Sequence, residues 1–170
     1  MQEPCVLIVM GVAGSGKTTL AEALAARLHW TLQEGDALHP PENVAKMAGG
    51  TPLTDADRWP WLDRIAAWID ERLAAGENGI VTCSALRRAY RDRLIGARRG
   101  VRLVYLHGER ELIGARLGAR RGHFMPPTLL ASQLATLEPP GPEEHPISVY
   151  AGPPPEDMAA QVIAALEAAP

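Results

Sequence analysis

Apolar residues fall along this chain in two rhythms. Val6 to Met10 is an unbroken apolar run rich in β-branched side chains and closed by a glycine-rich turn, after which Thr18 to Leu28 repeats its apolar positions at helical spacing. That pair predicts strand, loop, helix. Shorter apolar runs at Trp30–Gln33, Gly79–Cys83, Val101–Leu106 and Ile147–Tyr150 predict four more strands. Helical patterns over Pro41–Met47, Arg58–Leu73, Arg87–Ala97 and Glu109–Ala119 separate them. The runs do not alternate apolar with polar, which suits parallel strands covered on both faces, and the long crossovers leave room for the helices that parallel pairing requires. The predicted fold is α/β, a five-stranded parallel sheet sandwiched by helices.

Two segments interrupt the pattern. Gly49–Asp57 is polar and turn-rich, and Arg120–Pro127 is short, basic and flanked by helices, so both predict loops over a binding crevice. Pro139–Pro146 and Pro153–Pro155 are proline-rich connectors into the last strand and last helix. With 170 residues, 46% of them hydrophobic, the chain suits one domain over 1–170, with residues 120–127 as a short lid. A net charge of -3 offers no broad cationic surface for nucleic acid, so any anion site is local. The apolar stretch Pro4–Met10 is too short to span a bilayer or to act as a secretory core. Cys5 and Cys83 each sit in an apolar run and predict free thiols. Together these features predict a soluble protein of the reducing cytoplasm. All but two of the 17 basic residues are arginine, and the exceptions are Lys17 and Lys46. A lysine kept against that bias marks a place for a compact, rotatable charge.

Lys17 stands in the segment Gly11-Val12-Ala13-Gly14-Ser15-Gly16-Lys17-Thr18, followed by Thr19, which fills every fixed position of the phosphate-binding P-loop between a predicted strand and a predicted helix. Its glycines let successive backbone N–H groups converge on phosphate oxygens, and the helix adds its positive end. Lys17 would bridge the β- and γ-phosphates of a bound nucleoside triphosphate, and the Thr18 hydroxyl would ligate a magnesium ion. The chain carries no Asn-Lys-x-Asp tetrad for guanine and is short for a motor, which favours a small kinase. No predicted strand ends in an apolar run plus aspartate; Val81-Thr82-Cys83-Ser84 occupies that place.

Asp36 follows the second strand, at the edge of an open α/β sheet where ligands bind. It either accepts the proton of an acceptor hydroxyl, or orients that hydroxyl, or caps the next helix. Here the sequence resembles a family. Gly35-Asp36-x-Leu38-His39-Pro40-x-x-Asn43-x-x-Lys46-Met47 is similar to the segment after the second strand of gluconokinases. Pro52-Leu53-Thr54-Asp55-Ala56-Asp57-Arg58-x-Pro60-Trp61-Leu62, Cys83-Ser84-Ala85-Leu86-Arg87 and the lid-like Arg120-Arg121-Gly122-His123-Phe124-Met125 also resemble that family, in order, over Gly11 to about Pro140.

The resemblance implies a nucleoside-monophosphate-kinase-like fold, often dimeric, that moves the γ-phosphoryl of ATP to the terminal hydroxyl of D-gluconate with magnesium. Gluconate carries one carboxylate and a row of hydroxyls, so its site needs guanidinium and fixed polar groups. The candidates are Arg58 and Arg91, with His39, Asp57, Asp36, Ser84 and His123. Arg58 has Asp55 or Asp57 as alternative partners, and Arg91 has Asp92 or a solvent-facing carboxylate. Arg116, Arg120 and Arg121 are candidates for closing onto the phosphates, with solvated helix charges as the alternative. Trp61 and Trp68 read as core. Ser148-Val149-Tyr150-Ala151-Gly152-Pro153 departs from the family where the adenine contacts are expected. The rival acceptors are shikimate, adenylylsulfate and a nucleoside monophosphate, and a nucleotide-binding regulator without turnover is the rival of another class.

Overall fold

In the computed structural model, which describes residues 3–12, 14–109 and 127–168, the apolar runs pair into one sheet. Its strands are β1 (Val6–Met10), β2 (Thr31–Glu34), β3 (Gly79–Thr82), β4 (Val101–His107) and β5 (Ile147–Tyr150). All neighbours are parallel in the order β2-β3-β1-β4-β5, with Val6 opposite both Gly79 and Val101. Each strand lies within about one residue of the run that predicts it.

Every residue of β1 is buried, and the pleat divides them between two cores. Val6, Ile8 and Met10 pack with Trp61, Leu62, Ile65 and Ile69 on one face. Leu7 and Val9 pack with Leu20, Leu24, Met158 and Val162 on the other. That division is the reason the run shows no alternation: both faces are covered, so neither tolerates a polar side chain. Burying each such side chain is worth about 1.5–3 kcal/mol.

The described helices are α1 (Lys17–Leu28), α2 (Pro41–Ala48), α3 (Asp55–Ala74), α4 (Arg88–Ile95), α5 (Pro127–Thr136) and α6 (Pro155–Ala168). Helices α3 and α4 cover the first face of the sheet, while α1 and α6 cover the second. Helix α3 starts three residues before the expected Arg58 because of a capping box: the Asp57 N–H donates to Thr54 Oγ1 at 3.2 Å, and the Thr54 N–H donates to Asp57 Oδ2 at 2.9 Å. Pro60 lies in the second turn, where its missing donor forfeits a single bond. Two short 3₁₀ turns, Gly35–Leu38 after β2 and Pro142–Glu144 in the proline-rich connector, were not among the predicted elements. The expected helix over Glu109–Ala119 and the lid over 120–127 lie, beyond Glu109 and Pro127, outside the described residues.

Candidate functional site

Three loops leave the C-terminal edge of the sheet side by side, after β1, β2 and β3. The first is the phosphate loop. Gly11 has φ +153°, and a Cβ there would stand 2.6 Å from the Leu106 carbonyl oxygen, so only glycine fits. Gly16 caps α1 in the left-handed region at φ 101°, and the chain then turns directly into the helix. Val12, Gly14 and Ser15 are buried, whereas Thr19 is exposed; Ala13 lies outside the described residues. Lys17 Nζ donates to the carbonyls of Gly11 at 2.9 Å and Val12 at 3.1 Å, which curls its ammonium over the loop.

The Thr18 hydroxyl, in the first turn of α1, donates to Glu34 Oε2 at 3.2 Å. Glu34 ends β2, and the same oxygen accepts a 2.6 Å bond from the Thr82 hydroxyl at the end of β3. Its other oxygen, Oε1, is buried and makes no hydrogen bond among the described residues. The apolar run Trp30–Gln33 stops one residue short of this carboxylate, which no motif in the sequence marks. Gly35 follows, and a Cβ on it would fall 1.9 Å from the Thr82 carbonyl oxygen. Glycine here lets β2 and β3 approach closely enough for Thr82 to hold both Glu34 and the Gly35 N–H, the latter at 3.1 Å.

Beside the loop opens a cavity lined by Lys17, Asp36, His39, Arg58, Trp61 and Ser84, among others. The Asp36 side chain is 85% exposed, with Oδ1 3.9 Å from His39 Nε2. Helix α2 begins after Pro40 with no side-chain cap, so capping does not explain Asp36. The His39 ring is buried and stacks on Trp61 with centroids 4.0 Å apart. Burial, with a smaller contribution from Arg58 and against the pull of Asp36, lowers its pKa to about 4, so the ring is neutral. Trp61 is core, as expected, and a wall of the cavity too; its Nε1 donates to the Gly35 carbonyl at 2.8 Å.

Arg58 Nη1 donates to the Leu53 carbonyl at 2.7 Å and to the Tyr90 hydroxyl at 3.1 Å. The alternative carboxylate partners are occupied. Asp57 pairs with Lys46 Nζ at 2.8 Å, while Asp55 accepts from the Tyr90 hydroxyl and faces Arg87 at 3.8 Å. Among the described residues the Arg58 guanidinium has no carboxylate partner, and its charge faces the cavity.

Two residues expected at this site have their side chains committed elsewhere. Asp57 closes the α3 capping box and holds Lys46, and those bonds, Lys46 first and the Thr54 N–H next, lower its pKa to about 2. Arg91 is nearly fully buried: Nε and Nη2 grip the two Glu144 oxygens at 2.6 and 3.1 Å, and Nη1 donates to the Ala85 carbonyl at 2.8 Å. Three of its five N–H donors are so used, its charge is matched by Glu144, and at 1% exposure the guanidinium is turned into the framework. It fixes the loop after β3 instead, where Ala85 holds φ 46° between Ser84 and Leu86. Arg116, Arg120, Arg121 and His123 lie outside the described residues.

The likenesses agree with this geometry. A family profile described as an AAA domain matches residues 6–140. A gluconokinase of Gluconobacter oxydans (strain 621H) is 53% identical over 147 residues, covering 86% of this chain and 83% of the relative. A solved sugar kinase from Janibacter sp. HTCC2649 superposes with TM-score 0.92 at 47% identity, covering 98% of this chain and 96% of that one. A solved gluconokinase from Sinorhizobium meliloti 1021 does so with TM-score 0.85 at 46% identity, covering 98% and 94%. With a P-loop at the end of β1 and a polar cavity beside it, on a parallel sheet matched along nearly its whole length, this chain belongs to the gluconokinase family of P-loop kinases.

Proposed function

We propose that the protein transfers the γ-phosphoryl group of ATP to the terminal hydroxyl of D-gluconate, releasing ADP and 6-phospho-D-gluconate. The observation that carries this reading is the cavity beside the P-loop. Lys17 and Ser84 line its phosphate side, Asp36 and His39 offer hydroxyl partners, and Arg58 presents a cation without a carboxylate partner among the described residues. An open-chain sugar acid has the complementary groups: one carboxylate for Arg58 and hydroxyls for the rest.

In the reaction the acceptor oxygen attacks the γ-phosphorus, a P–O bond forms, and the bond to the β,γ-bridging oxygen breaks with its electrons leaving on ADP. Asp36 takes the hydroxyl proton or orients the hydroxyl in line. Lys17 and the N–H groups of the loop stabilise the charge on the phosphates. The residues present suit a magnesium ion: the Thr18 hydroxyl is a hard ligand, and the buried Glu34 Oε1 lacks the donor that a cation's water supplies. Such an ion, when bound, neutralises phosphate charge. Arg116, Arg120, Arg121 and His123 are proposed to complete the site from the lid. Asp57 and Arg91 act through the framework.

The proposed setting is the cytoplasm, and the proposed assembly is a homodimer. Neither Cys5 nor Cys83 is in a disulfide, burial pushes the Cys83 thiol up to about 12, and no described helix is long and apolar enough to cross a membrane. The test is product identity. NMR of the product from ATP and D-gluconate should show phosphorus coupled to the protons of the terminal carbon. Coupling to any other carbon would refute the placement of the acceptor against Asp36.

A further inference from the structure

His39 and Asn43 are both buried beneath the acceptor cavity, and their hydrogen bonds fix where the imidazole carries its proton. Asn43 sits in the first turn of α2, and its Nδ2 is 2.9 Å from the backbone carbonyl oxygen of Asp57. A carbonyl only accepts, so the atom facing it must be the amide nitrogen, and the orientation of the Asn43 amide is settled by its partner. The same Nδ2 is 3.1 Å from His39 Nδ1. An amide NH₂ has no lone pair to offer. His39 Nδ1 must therefore accept, and the proton of the neutral ring resides on Nε2.

Nε2 points toward Asp36, at 3.9 Å from Oδ1. That gap is too wide for a hydrogen bond but is spanned by one oxygen at about 2.8 Å from each atom. The groups facing the ring are the Asp36 carboxylate and the Arg58 guanidinium, with Trp61 stacked on its face. The stack holds the ring plane and Asn43 holds its edge: a 180° flip of the ring, which swaps Nδ1 with Cδ2 and Nε2 with Cε1, would leave Asn43 Nδ2 facing a C–H.

We propose that Asn43 is a positioning residue that locks His39 as a neutral Nε2–H donor, so that His39 and Asp36 together read one acceptor hydroxyl as both hydrogen-bond acceptor and donor. A hydroxyl satisfies both groups at once. A carboxylate oxygen at that point would meet Asp36 without a proton, and an ammonium would meet His39 without a lone pair. This constellation rejects both and selects a polyol carbon at the subsite nearest Asp36. Through the identity of the acceptor, the inference rests on the proposed function.

Two measurements test it. Nitrogen-15 NMR of the histidine side chains at neutral pH, with His39 assigned by the signals lost in His39→Gln, reads the tautomer in the unaltered protein. The expected result is a pyridine-like Nδ1 and a protonated Nε2; a protonated Nδ1 would overturn the proposal, and this arm needs neither turnover nor a folded Asn43 variant. The second is Asn43→Asp, the same shape with no donor. Its KM for D-gluconate should rise about tenfold, the worth of roughly one hydrogen bond, and kcat should fall as well because the shared hydroxyl is the one that attacks, while the KM for ATP changes less than about twofold. The His39 proton should move to Nδ1. An unchanged tautomer with an unchanged KM would overturn the positioning role. If the unaltered protein turned over no gluconate, the proposed substrate would fall, and the tautomer would still decide the role of Asn43.

Discussion

Removing Arg91 separates a framework role from a substrate role at one position. The Arg91 and Glu144 side chains are 1% and 6% exposed, and the guanidinium meets both carboxylate oxygens and the Ala85 carbonyl. Arg91→Ala would strand a buried carboxylate and a backbone acceptor together. Breaking a buried pair costs about 3–5 kcal/mol. Here the Gly141 N–H still reaches Glu144 Oε2 at 3.0 Å and Arg88 stands 3.8 Å from Oε1, which points to the lower end of that range. At about 3 kcal/mol, and about 2–4 °C per kcal/mol for a domain of this size, the melting midpoint should fall by about 6–12 °C. Burial pushes the Glu144 carboxyl up, yet the bonds from Arg91 and Gly141 and the charges of Arg91 and Arg88 hold it below its ordinary 4.5. The stabilisation is therefore complete above that ordinary value and is lost as the pH falls through the lower folded one. The assay is thermal unfolding of Arg91→Ala at neutral and acid pH, beside steady-state kinetics well below the midpoint. A midpoint within about 2 °C of the unaltered protein, with a KM for gluconate raised about tenfold, would refute the reasoning and return Arg91 to the substrate.

Other perturbations have equally definite outcomes. Arg58→Ala should raise the KM for gluconate about 10- to 100-fold, the worth of a charged hydrogen bond, and leave the KM for ATP nearly unchanged; parallel changes in both would make Arg58 phosphate-directed or structural. Gly35→Ala forces a Cβ against the Thr82 carbonyl and should cost about 1–3 kcal/mol in a denaturant melt, with kcat lowered through displaced Asp36 and Glu34; an unchanged melt would mean the β2 and β3 ends yield freely. Because Lys46 first and the Thr54 N–H next hold Asp57 at about 2 rather than 3.8, the Lys46 share of that stability, lost in Lys46→Met, should be present above the higher value and vanish as the pH falls toward the lower. A pH-independent difference in midpoint would show that Lys46 acts by packing alone.

The sheet was legible in the sequence because burial on both faces leaves continuous apolar runs, and Val6–Met10 carries that signal in its plainest form. The phosphate loop was legible because the backbone conformation demands glycine at fixed spacings. What escaped the sequence was long-range pairing. Arg91 stands next to Asp92 in the chain, yet its partner is Glu144, delivered by a proline-rich connector that reads as featureless. Asp57 looked like a hydroxyl partner, although Thr54 three residues earlier spells a capping box. Glu34 carried no motif: its role appears only when β2 and β3 pair and bring Thr18 and Thr82 to the same oxygen. Asn43 belonged to the family-like segment, but its effect on His39 needs the Asp57 carbonyl, fourteen residues away, to orient its amide.

The central claim is the acceptor. Magnesium-dependent release of ADP from ATP, followed in parallel with D-gluconate, shikimate, adenylylsulfate, AMP and no acceptor, tests it most directly. The account predicts a rate with gluconate alone, lost in Lys17→Ala and lowered through kcat in Asp36→Asn. A rate with another acceptor, or none above the acceptor-free background, would contradict it.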